Sequence, residues 1–183
     1  NRYIGLNQND NGRDLNHAYF LLGKCNMELG NINAAFQAFK SAMFGEPSKQ
    51  EYLEMISALV DADLQQGSFL ETIAALDKAK TWEFTQIESV KITILKSRIY
   101  RSLNMIDKSL AVLGDTSSYV SDSYLRAQLL FEQANCYIAK DDFNSARKNL
   151  SDILVAAEPG PFAQQAACSL ADVCLKLDQA PYA

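Results

Sequence analysis

The chain has 183 residues, 48% of them apolar and 21% charged, with only 4 prolines, a core-forming and helix-compatible composition unlike that of a disordered chain. Its net charge of −5 opposes nucleic-acid binding, which runs on neutralisation of phosphates by cations. No stretch approaches the roughly 20 consecutive apolar residues that span a bilayer, and no charged-then-apolar signal segment opens the chain, so direct membrane insertion is not expected.

The chain begins at Asn1 without an initiator methionine, from which removal of a signal or of a whole upstream region is expected. Tyr3, Ile4 and Leu6 read as the tail of a preceding helix, although Arg2 then occupies a core position. The first clear segment runs from Asn16 to Pro47. It places Tyr19, Leu22-Gly23, Gly30, Ala35, Phe39, Ala42 and Pro47 in sequence. Repeats must be sought before other features, because they decide the fold. This order resembles the tetratricopeptide signature: an aromatic, Leu-Gly, a turn glycine, Ala-x3-Phe and a closing proline. Asn26 departs from it, standing where the family usually has tyrosine.

Steps of 37 residues recover the pattern along the chain. The turn column reads Gly30, Gly67, Asn104, Asp141 and Asp178, all turn formers. The first-helix column reads Gly23, Val60, Ser97, Ala134 and Ala171, small apart from the valine. The second helices give Ala35, Thr72, Ser109, Ala146 and Ala183, then Phe39, Leu76, Leu113 and Leu150. Just after the turns come Ile32, Phe69, Ile106, Phe143 and Ala180. Turn formers let antiparallel helices reverse, and small residues let them approach while Phe or Leu fills the space between. Short helices are marginal alone in water, so the hairpins must stack to bury a continuous core. The predicted fold is therefore all-α, an α-solenoid of antiparallel hairpins, which the resemblance implies to be right-handed. Its expected repeats are 16–52, 53–89, 90–126, 127–163 and 164–183 within one array.

Local signals agree. Ser48-Lys49-Gln50-Glu51 and Thr85-Gln86-Ile87-Glu88 are capping boxes at hairpin starts. Pro47, Pro159 and Pro161 are expected between hairpins. The period exceeds the family's usual length of about 34, and the segment from Phe131 to Tyr182 is similar to lengthened repeats of bacterial cell-envelope tetratricopeptide proteins. Compartment stays open between cytoplasm and periplasm. Ala183 falls where a second helix would start, just behind Pro181, so the last repeat is expected to be truncated and the chain to be a piece of a longer protein.

Catalytic signals are missing. The single histidine, His17, rules out a multi-histidine metal site, and Cys25 lies too far along the same helix to pair with it. No phosphate loop, nucleophile elbow, metalloprotease or dinucleotide motif occurs. The expectation is no enzyme, no cofactor and no metal. Cys25, Cys136, Cys168 and Cys174 form no Cys-x-x-Cys pair and read as small, partly buried thiols in a reducing compartment. Asp61/Asp63 and Asp141/Asp142 read as solvated acids, with Asp61 on the groove side and the second pair capping the next helix. Asn149-Leu150-Ser151 matches a glycosylation triplet but falls inside a predicted helix.

The resemblance implies ligand binding in the concave groove through the first helix of each hairpin. Carried over by register, that lining includes His17, Phe20, Lys24 and Met27, then Glu54, Ser57, Asp61 and Leu64. Next come Lys91, Ile94, Arg98 and Arg101, followed by Gln128, Phe131, Asn135 and Ile138, and finally Gln165, Cys168, Asp172 and Leu175. Lys91, Arg98 and Arg101 share one face, a seat for an acidic peptide or a terminal carboxylate. Phe20, Ile94, Phe131 and Ile138 supply apolar pockets beside it. The five-residue carboxylate clamp of some family members is not matched: Phe20, Lys24, Asp61, Lys91 and Leu95 stand in its places, and only Lys91 fits. The expected function is a protein-interaction scaffold. Two alternatives stay open: an accessory region of a larger enzyme or membrane complex, and homo-oligomerisation through the solenoid ends.

Overall fold

The computed structural model describes residues 12–43, 47–67, 69–79, 82–117, 120–156 and 160–177. Tyr3, Ile4, Leu6, Pro159, Asp178, Ala180, Pro181 and Ala183 lie outside them. Every regular element among the described residues is an α-helix. The chain forms two compact units, Asn1–Trp82 and Glu83–Ala183. The first holds α1 (Gly12–Glu28), α2 (Ile32–Met43), α3 (Lys49–Gln66) and α4 (Leu70–Ala79). The second holds α5 (Gln86–Ser102), α6 (Ile106–Ser117), α7 (Ser123–Ala139), α8 (Phe143–Ala156) and α9 (Pro161–Lys176).

The helices keep the period. Gly12, Lys49, Gln86 and Ser123 open the first helices of four hairpins at intervals of 37, each about one turn ahead of the repeat start read from the sequence. Both capping boxes form: Ser48 and Thr85 accept from the amides of Glu51 and Glu88, whose carboxylates answer the cap amides at 2.9 and 2.8 Å. Asp142 caps α8 by accepting from the Ser145 amide at 3.1 Å. Pro161 belongs inside a helix instead of between hairpins. It opens α9, where a missing N–H costs nothing.

The turn column has a common conformation. Gly30, Gly67, Asn104 and Asp141 have φ of 72°, 77°, 58° and 58°, the left-handed region that glycine enters freely and Asn or Asp tolerates. One backbone shape thus closes four hairpins with three residue types.

Packing follows the columns within each unit. In the first, α2 lies between α1 and α3, and Phe36, Phe39 and Ala42 pack with Phe20, Met55, Leu59 and Ala62. Gly23 is required there, because a Cβ at that position would stand 2.5 Å from Cε1 of Phe39. In the second unit, Leu113 packs with Val90, Leu125, Leu129 and Cys136, and Leu150 and Ile153 pack with Ala134, Ala166 and Val173. A buried side chain of this size stabilises by about 1.5–3 kcal/mol, so these layers outweigh the exposed ion pairs, worth at most ~1 kcal/mol each.

Two expectations need correction. Asp63 is not solvated but fully buried. It lies in the column of Asn26, on the side of α3 that meets α4, and accepts a hydrogen bond from the Thr72 hydroxyl. A threonine in the alanine column supplies the polar partner that a buried carboxylate needs. The thiols are not uniformly part-buried either. Cys136 and Cys174 are buried, Cys25 and Cys168 exposed, and all four are free. Cys25 and Cys136 share a repeat column, and Cys136 packs with Leu113 of the preceding second helix.

Candidate partner-binding clefts

Two clefts open between successive first helices, one within each unit. The first, of about 650 Å³, lies between α1 and α3 and is lined by Asn16, His17, Phe20, Lys24, Glu51 and Glu54, with Met55 at its base and Pro47, Ser48 and Gln50 at one end. The second, of about 690 Å³, lies between the starts of α7 and α9, where Ser123, Tyr124 and Ala127 face Gly160, Pro161, Phe162 and Gln165, with Ala156 beside them. Asn16 and Ala127 occupy one repeat column, as do Glu54 and Gln165, three periods apart. The same architectural gap therefore recurs.

Their chemistry differs. The first cleft is crossed by polar contacts: His17 Nδ1 is hydrogen-bonded to Glu51 Oε1 at 2.6 Å, and Lys24 Nζ forms an ion pair with Glu54 Oε2 at 3.1 Å. Lys24 also stands 5.4 Å above the Phe20 ring, a cation–π distance. Burial pushes the Glu51 carboxyl up, but the Ser48 hydroxyl and amide, then His17, outweigh it and hold the group below its ordinary range. One carboxylate thus caps α3 and ties it to α1. Among the described residues, the second cleft has no charged lining residue. Tyr124 and Phe131 meet Phe162 edge-on, with ring centroids 5.8 and 5.5 Å apart, and Tyr124 remains 58% exposed.

Phe20 and Lys24, expected in the groove, come together in the first cleft, and Phe131 braces the Phe162 wall of the second. Met27 packs on the core of the first unit and Ile94 on that of the second. Asp61, Asn135 and Arg98 are half-buried, while Lys91 is exposed; none of these lines either cleft. Arg101 lies 3.3 Å from Glu132 of α7, so a carboxylate of the next hairpin already partners this member of the expected basic seat. The sequence reading missed Tyr124, Phe162, Gln50 and Glu51. The period held the signal, because its roughly three extra residues per repeat lengthen the first helices at the starts that border these clefts.

Among the described residues, no group of three or more His, Cys, Asp or Glu side chains could hold a metal ion, and no helix is long and apolar enough to cross a membrane.

The tetratricopeptide repeat family profile matches residues 17–43, the span of the first hairpin. No curated protein matches the chain. Among solved structures, the apo form of RapI superposes with a TM-score of 0.75 at 15% identity, over 97% of this chain and 53% of that one. The chain therefore spans about half the length of that structure, and at such identity the likeness concerns the fold. The family match shows a tetratricopeptide repeat at residues 17–43, and the repeat columns and hairpins carry the same helical-repeat fold through the other described residues. A repeat of that type supports a role as a protein-interaction scaffold in general.

Proposed function

We propose that the protein binds a partner polypeptide along the first helices of its hairpins, using the clefts between successive ones. What carries this reading is the recurrence of the cleft at equivalent repeat positions, between α1 and α3 and again between α7 and α9. Sites of this volume are ordinary for ligand recognition, and a peptide segment brings both the side chains and the backbone groups to fill them.

The linings assign different tasks. The first cleft, with Lys24, Glu54, Gln50 and Asn16, suits a polar segment whose hydrogen bonds replace those of water. The second, with Tyr124 and Phe162, suits an uncharged apolar anchor, and binding energy concentrates on such aromatic contacts. Lys91, exposed on α5, offers a cation for an acidic flank.

Selection of displayed peptides on the immobilised protein tests this, followed by affinity measurement on variants of exposed lining residues. Tyr124→Ala should weaken a selected peptide about tenfold or more, the equivalent of ~1.4 kcal/mol. Peptides that bind Lys24→Ala, Glu54→Ala, Tyr124→Ala and Gln165→Ala as tightly as the parent would contradict the reading.

A further inference from the structure

The chemistry of the second cleft narrows its ligand class; this rests on the reading that partners occupy the clefts. In the first cleft the polar groups already satisfy one another. Gln50 and Lys24 donate to the two oxygens of Glu54, while Ser48 donates to one oxygen of Glu51 and His17 bonds the other. In the second cleft, the Ser123 and Tyr124 hydroxyls and the Gln165 amide have no hydrogen-bond partner among the described residues. They stand around the Phe162 wall, so the site offers neutral donors beside an apolar floor. Both walls are held by α8, which packs on α7 and on α9.

We propose that this cleft seats an uncharged, proline-rich segment of the partner in the polyproline II conformation. Prolines carry no N–H, so their backbone presents carbonyl acceptors alone, and these take the free donors. A charged segment would find no counter-ion among the described lining residues. A strand would bring N–H groups that need a ladder, and every regular element among the described residues is a helix. A docked helix would need a trough of about 10 Å for anchors at i, i+3, i+4 and i+7. The cleft offers only residues 123–127 of α7 opposite 160–165 of α9, about one turn of each. The repeat also supplies a second contact. Ile87, Tyr124 and Pro161 stand one period apart at the starts of α5, α7 and α9, and Ile87 is 52% exposed. α5 packs directly on α7, and packed helices lie about 8–10 Å apart. One polyproline II turn of three residues rises about 9 Å. A proline seated between Tyr124 and Phe162 therefore sets the one three residues away on Ile87.

Titration calorimetry of the whole chain tests this with a blocked peptide of about nine prolines, three turns of the helix. The control is a blocked peptide of equal length that alternates alanine and glutamine. The proline peptide should bind about tenfold tighter than the control. Tyr124→Ala should weaken its binding about tenfold, and Gln165→Ala about threefold to tenfold. Ile87→Ala should cost about threefold, and Lys24→Ala, in the other cleft, should change nothing. No saturable binding of the proline peptide up to about 1 mM, equal binding of the control, or binding indifferent to both Tyr124→Ala and Gln165→Ala would overturn the assignment. The displayed-peptide selection separates that failure from failure of the cleft reading. Selected peptides without proline that still need Tyr124 and Gln165 would sink the ligand class alone. Peptides that need neither of these, nor Lys24 and Glu54, would sink the clefts as well.

Discussion

The first and third hairpins fill the same repeat columns with opposite chemistry. In the first, Gly23 and Ala35 leave room for the Phe39 ring, which presses against the glycine backbone. In the third, both small positions are serines. The Ser97 and Ser109 hydroxyls lie 2.7 Å apart, Ser109 donates to the Ser97 carbonyl at 2.9 Å, and Cys136 Sγ of the next hairpin is 3.0 Å from the Ser109 hydroxyl. Burial raises the Cys136 pKa, with the two serines opposing it, so this thiol is a protonated packing group. The repeat decides where helices approach; it leaves open whether shape or hydrogen bonds satisfy the approach.

That contrast predicts a ranking of effects on unfolding free energy, measurable by denaturant titration. Phe39→Ala should cost the most, about 3–5 kcal/mol, by emptying the centre of the first hairpin. Gly23→Ala should follow at about 1–3 kcal/mol, because the added methyl collides with a ring that is 98% buried and has little room to shift. Ser109→Ala should cost about 1 kcal/mol, since the Ser97 hydroxyl loses one partner but can turn to its own helix. A Ser97→Ala/Ser109→Ala pair that costs no more than Ser109→Ala alone would sharpen the comparison. A Gly23→Ala change as mild as Ser109→Ala would break it.

A further effect, confined to high pH, concerns one tyrosine. Tyr52 of α3 is fully buried, donates to the Ala75 carbonyl at 2.7 Å and stacks on Trp82 with centroids 4.8 Å apart. Burial pushes its pKa from 10.0 up to about 12. A raised folded value means that its stabilisation is complete below pH 10 and lost as pH rises toward about 12. Ultraviolet titration should find one tyrosine ionising late, in step with loss of helicity, and Tyr52→Phe should remove that late step.

The fold was legible because its determinants are periodic. Gly30, Gly67, Asn104 and Asp141 advertise a left-handed turn by residue type, and each stands in that conformation. The small and large columns likewise announce buried contacts one residue at a time. The clefts were less legible. Their lining combines two helices that meet only in three dimensions, and register alone cannot say that Glu132 reaches Arg101 or that Phe162 turns toward Tyr124. Asp63 escaped notice for the same reason, its partner Thr72 lying across the hairpin.

The central claim is that partners bind along the first helices. It is tested most directly by photo-crosslinking a selected peptide to chains carrying a photoreactive residue at Gln50, Gln165 or, as a control on the exposed second-helix side, Asp152. The account predicts crosslinks from Gln50 or Gln165 and none from Asp152. Crosslinking from Asp152 with both cleft positions silent would contradict it.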